Sequence, residues 1–135
     1  MDFIKIVILY LSSLAVFFAI DLLWLGIISK NFYNAQLGHL LAPKVNWAPA
    51  IVFYLLFIAG ILFFAVLPGV DADSLGKTVL MAGVFGLICY ATYDLSNMAT
   101  IKDWPLIVTV VDMIWGVTIS TVVAVVAFYI GRLLI

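Results

Sequence analysis

Four stretches of apolar residues, separated by short polar breaks, dominate the pattern along this chain. They run roughly over residues 3–28, 48–67, 77–98 and 105–131. A helix needs about 20 mostly apolar residues to cross the hydrocarbon core of a bilayer, and each stretch reaches that length. The pattern therefore predicts an all-α membrane protein, a bundle of four transmembrane helices with short loops, in which residues 1–135 form a single integral membrane domain.

The breaks between the stretches carry residues that start and end helices. Asn46 and Asp103 can cap the second and fourth helices, each of which has a proline in its first turn. Ser74 can cap the third helix, and Pro68, which a glycine follows, should end the second. Only the segment 29–45 is longer than a turn. Its mixture of polar, aromatic and leucine residues predicts either a helical extension or short interfacial helix, or a solvated loop.

Composition supports a membrane location and excludes several classes of partner. The chain is 67% hydrophobic and 10% charged, whereas a soluble domain is about half apolar and about a quarter charged. Its basic residues are scattered singly, so no cluster could follow a phosphate backbone, and nucleic acid is excluded as a partner. Cys89 is the only cysteine, which excludes an internal disulfide and a cysteine metal cage. The sequence predicts the lipid bilayer as a partner and neither a metal nor a cofactor.

Three aspartates, Asp21, Asp94 and Asp112, lie inside the apolar stretches. A charged group near the bilayer centre costs roughly 2.5 to 3.5 kcal/mol even on the more lenient scale, so each aspartate needs a reason to be there. Successive spans run in opposite directions. The end of the first span and the start of the fourth therefore share one face, which places two of the aspartates at matched depth, on the order of 10 Å inside the helix ends. We expect all three to face the bundle interior in one half of the membrane.

Aromatic and amide side chains accompany these aspartates. The first and last spans each carry an Asp-x-x-Trp pattern, which places a tryptophan on the same helix face as the aspartate. The third span carries a polar stripe at helical spacing, and the second contributes a tyrosine at comparable depth. The predicted ligand- or proton-binding site therefore has nine residues: Asp21, Trp24, Tyr54, Tyr90, Tyr93, Asp94, Asn97, Asp112 and Trp115.

The charges of this cluster are unbalanced, because the sequence pattern places no lysine or arginine at its depth. Such carboxylates favour a shared proton, a bound cation, or a ligand that is cationic or donates hydrogen bonds. We expect at least one to hold its proton, and Asp112 first, because Asp94 has Asn97 and a nearby aqueous face to support its charge. The alternative is a structural network in which the aspartates bond to tyrosine and asparagine and hold the bundle together. Trp24 and Trp115 fit either packing or a pocket.

Three segments, Asp21–Gly26, Tyr90–Asn97 and Asp112–Gly116, resemble those of a family of small bacterial membrane proteins known as domain of unknown function 2177. The resemblance extends over nearly the whole chain. It implies a four-span protein of the bacterial cytoplasmic membrane with these polar positions as its signature. It implies no particular activity, cofactor or substrate.

Three functions remain open from the sequence. The first is binding of a small or lipid-like ligand at the cluster, with proton-linked transport as an extension. The second is a lipid- or isoprenoid-acting enzyme that uses Asp94 and Asp112 with His39, and it is the weaker because no hydrolase, metalloprotease or phosphate-loop motif is present. The third is a non-catalytic subunit or assembly factor. Such a protein, or a homo-oligomer, would make its contacts through small residues of the last two spans: Gly83, Gly86, Gly116 and Ser120.

The even number of spans predicts that both termini lie on one side of the membrane. The segments 29–47 and 99–104 should lie opposite. Lysine and arginine are divided equally between the two sides, three and three, so the positive-inside rule gives no orientation. The free amino terminus favours cytoplasmic termini, which would place the cluster in the outer half of the bilayer.

Overall fold

The computed structural model describes residues 1–135 and contains helices and turns without any β-strand. In chain order the elements are α1 (Phe3–Leu23), a π-helical segment (Trp24–Ile28), α2 (Lys30–Leu37), α3 (Trp47–Ile61), a second π-helical segment (Leu62–Val66), α4 (Leu67–Asp71), α5 (Leu75–Thr100) and α6 (Leu106–Leu134). They form four membrane-length spans: Phe3–Ile28, Trp47–Asp71, Leu75–Thr100 and Leu106–Leu134. The predicted all-α bundle of four spans is confirmed.

Apolar side chains cover the outside of the bundle as well as its core. Phe64, Leu80 and Ile88 are more than half exposed, as expected for spans whose outer surface meets lipid tails rather than water. The fully buried core is strongest in the half of the bundle nearest the termini. Its largest members are Leu9, Phe17, Ile58, Ile61, Val66, Ile119, Val123 and Phe128.

The helices α5 and α6 pack most closely, and glycine makes this possible. A side chain at Gly86 would collide with the backbone carbonyl of Gly116 and with Ser120, and one at Gly116 would enter the ring of Tyr90. The close packing expected for small residues is therefore confirmed. These residues face each other within one chain, so Gly86, Gly116 and Ser120 do not form the outward contact surface that the sequence suggested for a partner or a second copy.

Both termini lie at one end of the bundle, together with the turn between α4 and α5. Arg132 forms an ion pair with Asp73 at 3.2 Å, and the methyl group of Met1 lies close to Gly131. The opposite end carries α2 and the turn before α6, where Trp104 approaches Tyr93 on α5 with 6.1 Å between ring centroids. The relative arrangement of the ends agrees with the prediction from four antiparallel spans.

Of the three predicted helix caps, one forms and two do not. The Ser74 hydroxyl accepts a hydrogen bond from the Lys77 amide at 3.1 Å, as predicted. Asn46 occupies the residue before α3, but its side chain makes no capping bond. Asp103 was wrongly predicted to cap α6: it has a left-handed φ of 60°, and Pro105 is the residue before the helix.

The second span does not end at Pro68 as predicted but continues to Asp71. In a regular helix the proline ring would collide with the carbonyl four residues earlier. Here the wider π-helical turn Leu62–Val66 comes just before it, and such turns absorb local irregularities in a helix.

The segment after the first span is helical, which decides between the two structures predicted for 29–45. The Ser29 amide donates to the Trp24 carbonyl at 2.8 Å, and the Tyr33 amide donates to the Ser29 carbonyl at 3.0 Å. The first span therefore passes almost directly into α2. The short helix buries Leu37, while most of residues 38–46 form turns and irregular chain.

Candidate functional site

A cleft of about 410 Å³ lies in the half of the bundle away from the termini. All four spans contribute to its lining: Asp21, Leu25, Ala50, Phe53, Tyr54, Cys89, Tyr90, Tyr93, Asp112 and Trp115. Eight of these ten residues are hydrophobic or aromatic, and the other two are aspartates. Its volume and its apolar lining with a few polar groups are typical of small-molecule sites.

The cleft exists because α5 approaches the second span closely from Leu62 onward but not along α3. The backbone of α5 meets the second span mainly at the π-helical segment Leu62–Val66. Beyond that level aromatic side chains occupy the space between the helices, with Phe57 stacked on Phe85 at 5.5 Å between centroids. Leu25, Phe53 and Tyr93 at the edge of the cleft remain 43%, 43% and 58% exposed. The cleft is therefore open along the side of the bundle that would face lipid.

Asp21 is the polar centre of the cleft wall and is only 5% exposed. It accepts a hydrogen bond from the Tyr54 hydroxyl at 3.1 Å and one from the Trp115 indole N–H at 3.3 Å. Each carboxylate oxygen thus has one donor, from the second and the fourth span. The residue holds three spans together through one buried carboxylate.

Asp112 accepts a hydrogen bond from a residue of α2 rather than from another span. The Tyr33 hydroxyl donates to Asp112 Oδ1 at 2.8 Å, and the Trp24 indole N–H donates to the Tyr33 oxygen at 3.4 Å. Burial and the negative charge of Asp112 raise the pKa of the Tyr33 hydroxyl, which therefore stays protonated and able to donate. Tyr33 was absent from the predicted site, although it links α1, α2 and α6.

The two Asp-x-x-Trp patterns interlock across the bundle. The Trp24 and Trp115 rings stack at 4.4 Å between centroids, with 10° between their planes. Trp115 donates to Asp21 directly, and Trp24 reaches Asp112 through Tyr33. Each tryptophan therefore supports the aspartate of the other pattern.

A second cavity adjoins the cleft at its α2 end. It is lined by Leu25, Lys30, Tyr33, Asn34, Leu37, Leu41, Val45, Tyr93, Asp94, Trp104, Val108 and Asp112. Leu25, Tyr93 and Asp112 line both spaces. The two cavities therefore adjoin along these three residues.

Asp94 lines this second cavity and has no exposed surface. Neither of its carboxylate oxygens has a hydrogen-bond partner, although its backbone carbonyl accepts from the Thr109 hydroxyl at 3.4 Å. The Trp104 indole donates to that hydroxyl at 3.0 Å and fixes it. The surroundings thus hold the Asp94 backbone firmly and leave its carboxyl group free of protein donors.

Asp94 and Asp112 line the second cavity together. Two carboxylates can bond only if one carries a proton, since both are otherwise acceptors. Asp112 already has the Tyr33 donor, whereas neither oxygen of Asp94 has a hydrogen-bond partner, so Asp94 is the carboxyl group of the two that lacks a partner. A cation placed between them would satisfy the pair equally.

One charge near the cluster was missed in the sequence. Lys30 lines the second cavity together with Asp94 and Asp112, so a basic residue approaches the cluster from α2, outside the spans. The first span does not end in a distant loop but continues into α2, which brings Lys30 back against the bundle. Its ammonium group forms no ion pair, since the single ion pair of the chain joins Arg132 and Asp73.

The remaining predicted residues divide into those that reach a cavity and those that do not. Tyr54, Tyr90 and Tyr93 line the cleft. Trp24 does not line the cleft but contacts residues of the site, because its ring stacks on Trp115 and its indole N–H donates to the Tyr33 hydroxyl. Asn97 lines neither cavity, because it lies one helical turn beyond Asp94 towards the end of α5.

Neither cavity includes the histidine that the enzyme hypothesis invoked. His39 lies in the turn after α2, is exposed and lines neither space. No group of three or more histidine, cysteine, aspartate or glutamate side chains is placed to hold a metal ion. The residues brought together are carboxylates, phenols and indoles.

Comparison with known proteins gives one match. A family model described as "Predicted membrane protein (DUF2177)" matches residues 6–129. No curated protein and no solved structure matches the chain significantly.

Proposed function

We propose that this chain, which belongs to the DUF2177 family of predicted membrane proteins, binds an amphiphilic ligand in the cleft between its four spans. The ligand carries a cationic or hydrogen-bond-donating group that meets Asp112 and Asp21, and an apolar part that lies among the aromatic side chains. A single observation carries the proposal: a laterally open, mostly apolar cleft contains two aspartates and no basic residue.

The lining indicates which ligands the cleft would prefer. Aromatic faces such as those of Tyr90 and Trp115 attract cations as well as apolar groups. A carboxylate in an apolar wall binds a positively charged donor more strongly than a neutral one. A single-chain amine meets both conditions, and the alcohol of equal chain length meets only the apolar one.

We expect dodecylamine to bind the purified protein in maltoside micelles about tenfold more tightly than dodecanol, as one charge-assisted hydrogen bond would give. Binding can be followed by the fluorescence of Trp115, which lines the cleft. Asp112→Asn should abolish this roughly tenfold preference for the amine. The asparagine side chain can still accept a hydrogen bond from Tyr33 but carries no charge.

The matched control is Asp103→Asn, which removes a charge from an exposed turn at the same end of the bundle. Asparagine tolerates the left-handed backbone of that position, so folding should be unaffected. Equal affinities for amine and alcohol, or equal losses in the two variants, would contradict a charge-selective cleft.

Proton-linked transport is the finer form of this proposal. A proton or the cation of a ligand can neutralise the Asp94–Asp112 pair, and the two compete because they satisfy the same oxygens. Competition of this kind couples ligand binding to proton release, the thermodynamic step that exchange across a membrane requires. The same dodecylamine titration in weakly buffered solution should therefore release protons, and Asp94→Asn should abolish that release.

We also propose that the protein lies in the bacterial cytoplasmic membrane with both termini in the cytoplasm. In a Cys89→Ser background, Lys44→Cys should then react with a membrane-impermeant maleimide on intact cells, and Leu133→Cys should react only after lysis. Reaction of Leu133→Cys on intact cells would reverse the orientation. Reaction of both before lysis would indicate dual insertion.

A further inference from the structure

The second cavity differs chemically from the cleft and has no role yet. Half of the residues that line the cleft are aromatic, and its polar ones are two aspartates. Eight of the twelve residues that line the second cavity are hydrophobic, but its polar ones include Lys30 and Asn34 as well as two aspartates. It lies at the end of the bundle, against α2, where the first span ends. This is the depth at which lipid head groups meet a membrane protein.

An unpartnered carboxyl group points to a ligand in this cavity. Asp94 is completely buried, and both of its oxygens lack a donor from the protein. Buried carboxyl groups are normally paired or hydrogen-bonded, because leaving one unsatisfied is costly. Asn34 and Lys30, the donors that line the same space, make no bond to it. A donor from outside the chain would complete the site.

Lys30 adds a positive charge to the second cavity and forms no ion pair with the aspartates that line it. It lines the same cavity as Asp94 and Asp112, yet its ammonium group forms no ion pair with either. A cavity with separated positive and negative groups is complementary to a ligand that carries both charges. The ligand's cation would lie beside Asp94 and its anion beside Lys30.

We infer that the second cavity recognises a head group in which a primary ammonium is joined to a phosphate. The ammonium supplies up to three N–H donors, which Asp94 and Asp112 can accept. The phosphate would lie at Lys30, with the Asn34 amide as a further donor. Either a lipid head group or a free aminoalkyl phosphate has this chemistry.

The shared wall of the two cavities favours one continuous ligand. Leu25, Tyr93 and Asp112 line both spaces, so a head group in the second cavity can continue into an acyl chain in the cleft. In this respect the inference rests on the proposed function, since the chain occupies the proposed amphiphile site. The head-group contacts, however, depend also on Asp94 and Lys30, which line the second cavity but not the cleft.

The test compares single-chain lipids on the purified protein in maltoside micelles, followed by native mass spectrometry and by the fluorescence of Trp104, which lines the cavity. Lysophosphatidylethanolamine should bind about tenfold more tightly than lysophosphatidylcholine, whose quaternary ammonium has no N–H to donate. Lys30→Gln should weaken binding of the ethanolamine lipid about tenfold and leave dodecylamine binding unchanged, because the amine has no phosphate. Lys44→Gln, an exposed lysine outside both cavities, is the matched control.

Asp94→Asn should abolish the preference for the primary ammonium. If this buried variant does not fold, the Lys30→Gln result and the comparison of the two lipids still decide the matter. Glycerophosphoethanolamine, which has the head group without an acyl chain, separates the two sources. Strong binding of that compound assigns the site to a soluble aminoalkyl phosphate, and binding that requires the chain assigns it to a lipid.

Equal binding of the two lysolipids, or no effect of Lys30→Gln, would overturn the inference. In that case charge-selective binding of dodecylamine would still support the cleft, because its partner is Asp112 and not Lys30. Loss of amine selectivity together with retained head-group recognition would instead sink the proposed function and keep the head-group site.

Discussion

Asp21→Ala should lower the free energy of unfolding by about 2 to 6 kcal/mol, because it leaves one buried and one part-buried donor without an acceptor at roughly 1 to 3 kcal/mol each. Those donors are the Tyr54 hydroxyl and the Trp115 indole N–H. The loss should also loosen the Trp24–Trp115 stack, since the bond to Asp21 fixes one of its rings. Unfolding by increasing fractions of sodium dodecyl sulfate in mixed micelles measures the change.

Asp21→Asn provides the informative control. Its carbonyl can accept from the Trp115 indole, which can only donate, while its amide donates to the Tyr54 hydroxyl, which can also accept. All three groups remain satisfied, so we expect less than about 1 kcal/mol of destabilisation. The variant separates charge from hydrogen bonding at nearly constant shape.

The Asp21→Asn variant also decides between the structural network and the ligand site. If the aspartate only holds the bundle together, asparagine should preserve both stability and amine binding. If the carboxylate serves a cationic ligand, stability should survive while the preference for dodecylamine over dodecanol falls. A variant as unstable as Asp21→Ala would refute the hydrogen-bonding pattern itself.

The sequence was sufficient to predict the bundle and the depth of two aspartates. Four apolar stretches of membrane length leave few alternatives to antiparallel spans. Counting residues from the span ends then places Asp21 and Asp112 at one level, and both line the cleft. The repeated Asp-x-x-Trp pattern also indicated that Trp24 and Trp115 lie on the faces of their aspartates. Helix periodicity supplied this information without any tertiary contact.

The pattern could not reveal which tryptophan supports which aspartate. Periodicity places Trp115 beside Asp112 on the same helix, yet its indole donates to Asp21 across a separation of 94 residues. Such a bond depends on the rotation of one helix against another, which apolar residues on all sides of both helices leave undetermined. The ring stack at 4.4 Å depends on the same rotation.

The contribution of α2 was missed for a different reason. Its segment is short and mixes polar with apolar residues, so helix and loop were equally consistent with the sequence. The path of the chain into α2 depends on the π-helical turn at Trp24–Ile28, where both the amide and the hydroxyl of Ser29 donate to the Trp24 carbonyl. Tyr33 and Lys30 therefore reach the carboxyl groups through a local irregularity. Asn97, predicted from regular periodicity alone, does not reach them.

Gly86→Ala should lower the free energy of unfolding by about 3 kcal/mol, towards the upper end of the range for overpacking. The new methyl group would collide with the carbonyl oxygen of Gly116, which belongs to a helix backbone and cannot rotate away, and with Ser120. The helices α5 and α6 would have to separate. That separation would also move Asp94 away from Asp112, because the two lie on these helices.

Gly76→Ala is the matched control, since it adds the same methyl group to the same helix α5. The nearest atom there is the Ser74 hydroxyl oxygen at 4.0 Å, an ordinary contact distance, and replacing a helical glycine by alanine stabilises by about 0.4 to 1 kcal/mol where no strain results. We therefore expect the two alanine variants to shift the unfolding midpoint in opposite directions in the same detergent titration. In Gly86→Ala, dodecylamine should also lose its preference over dodecanol. Identical midpoints for the two variants would show that α5 and α6 are not in close contact at Gly86.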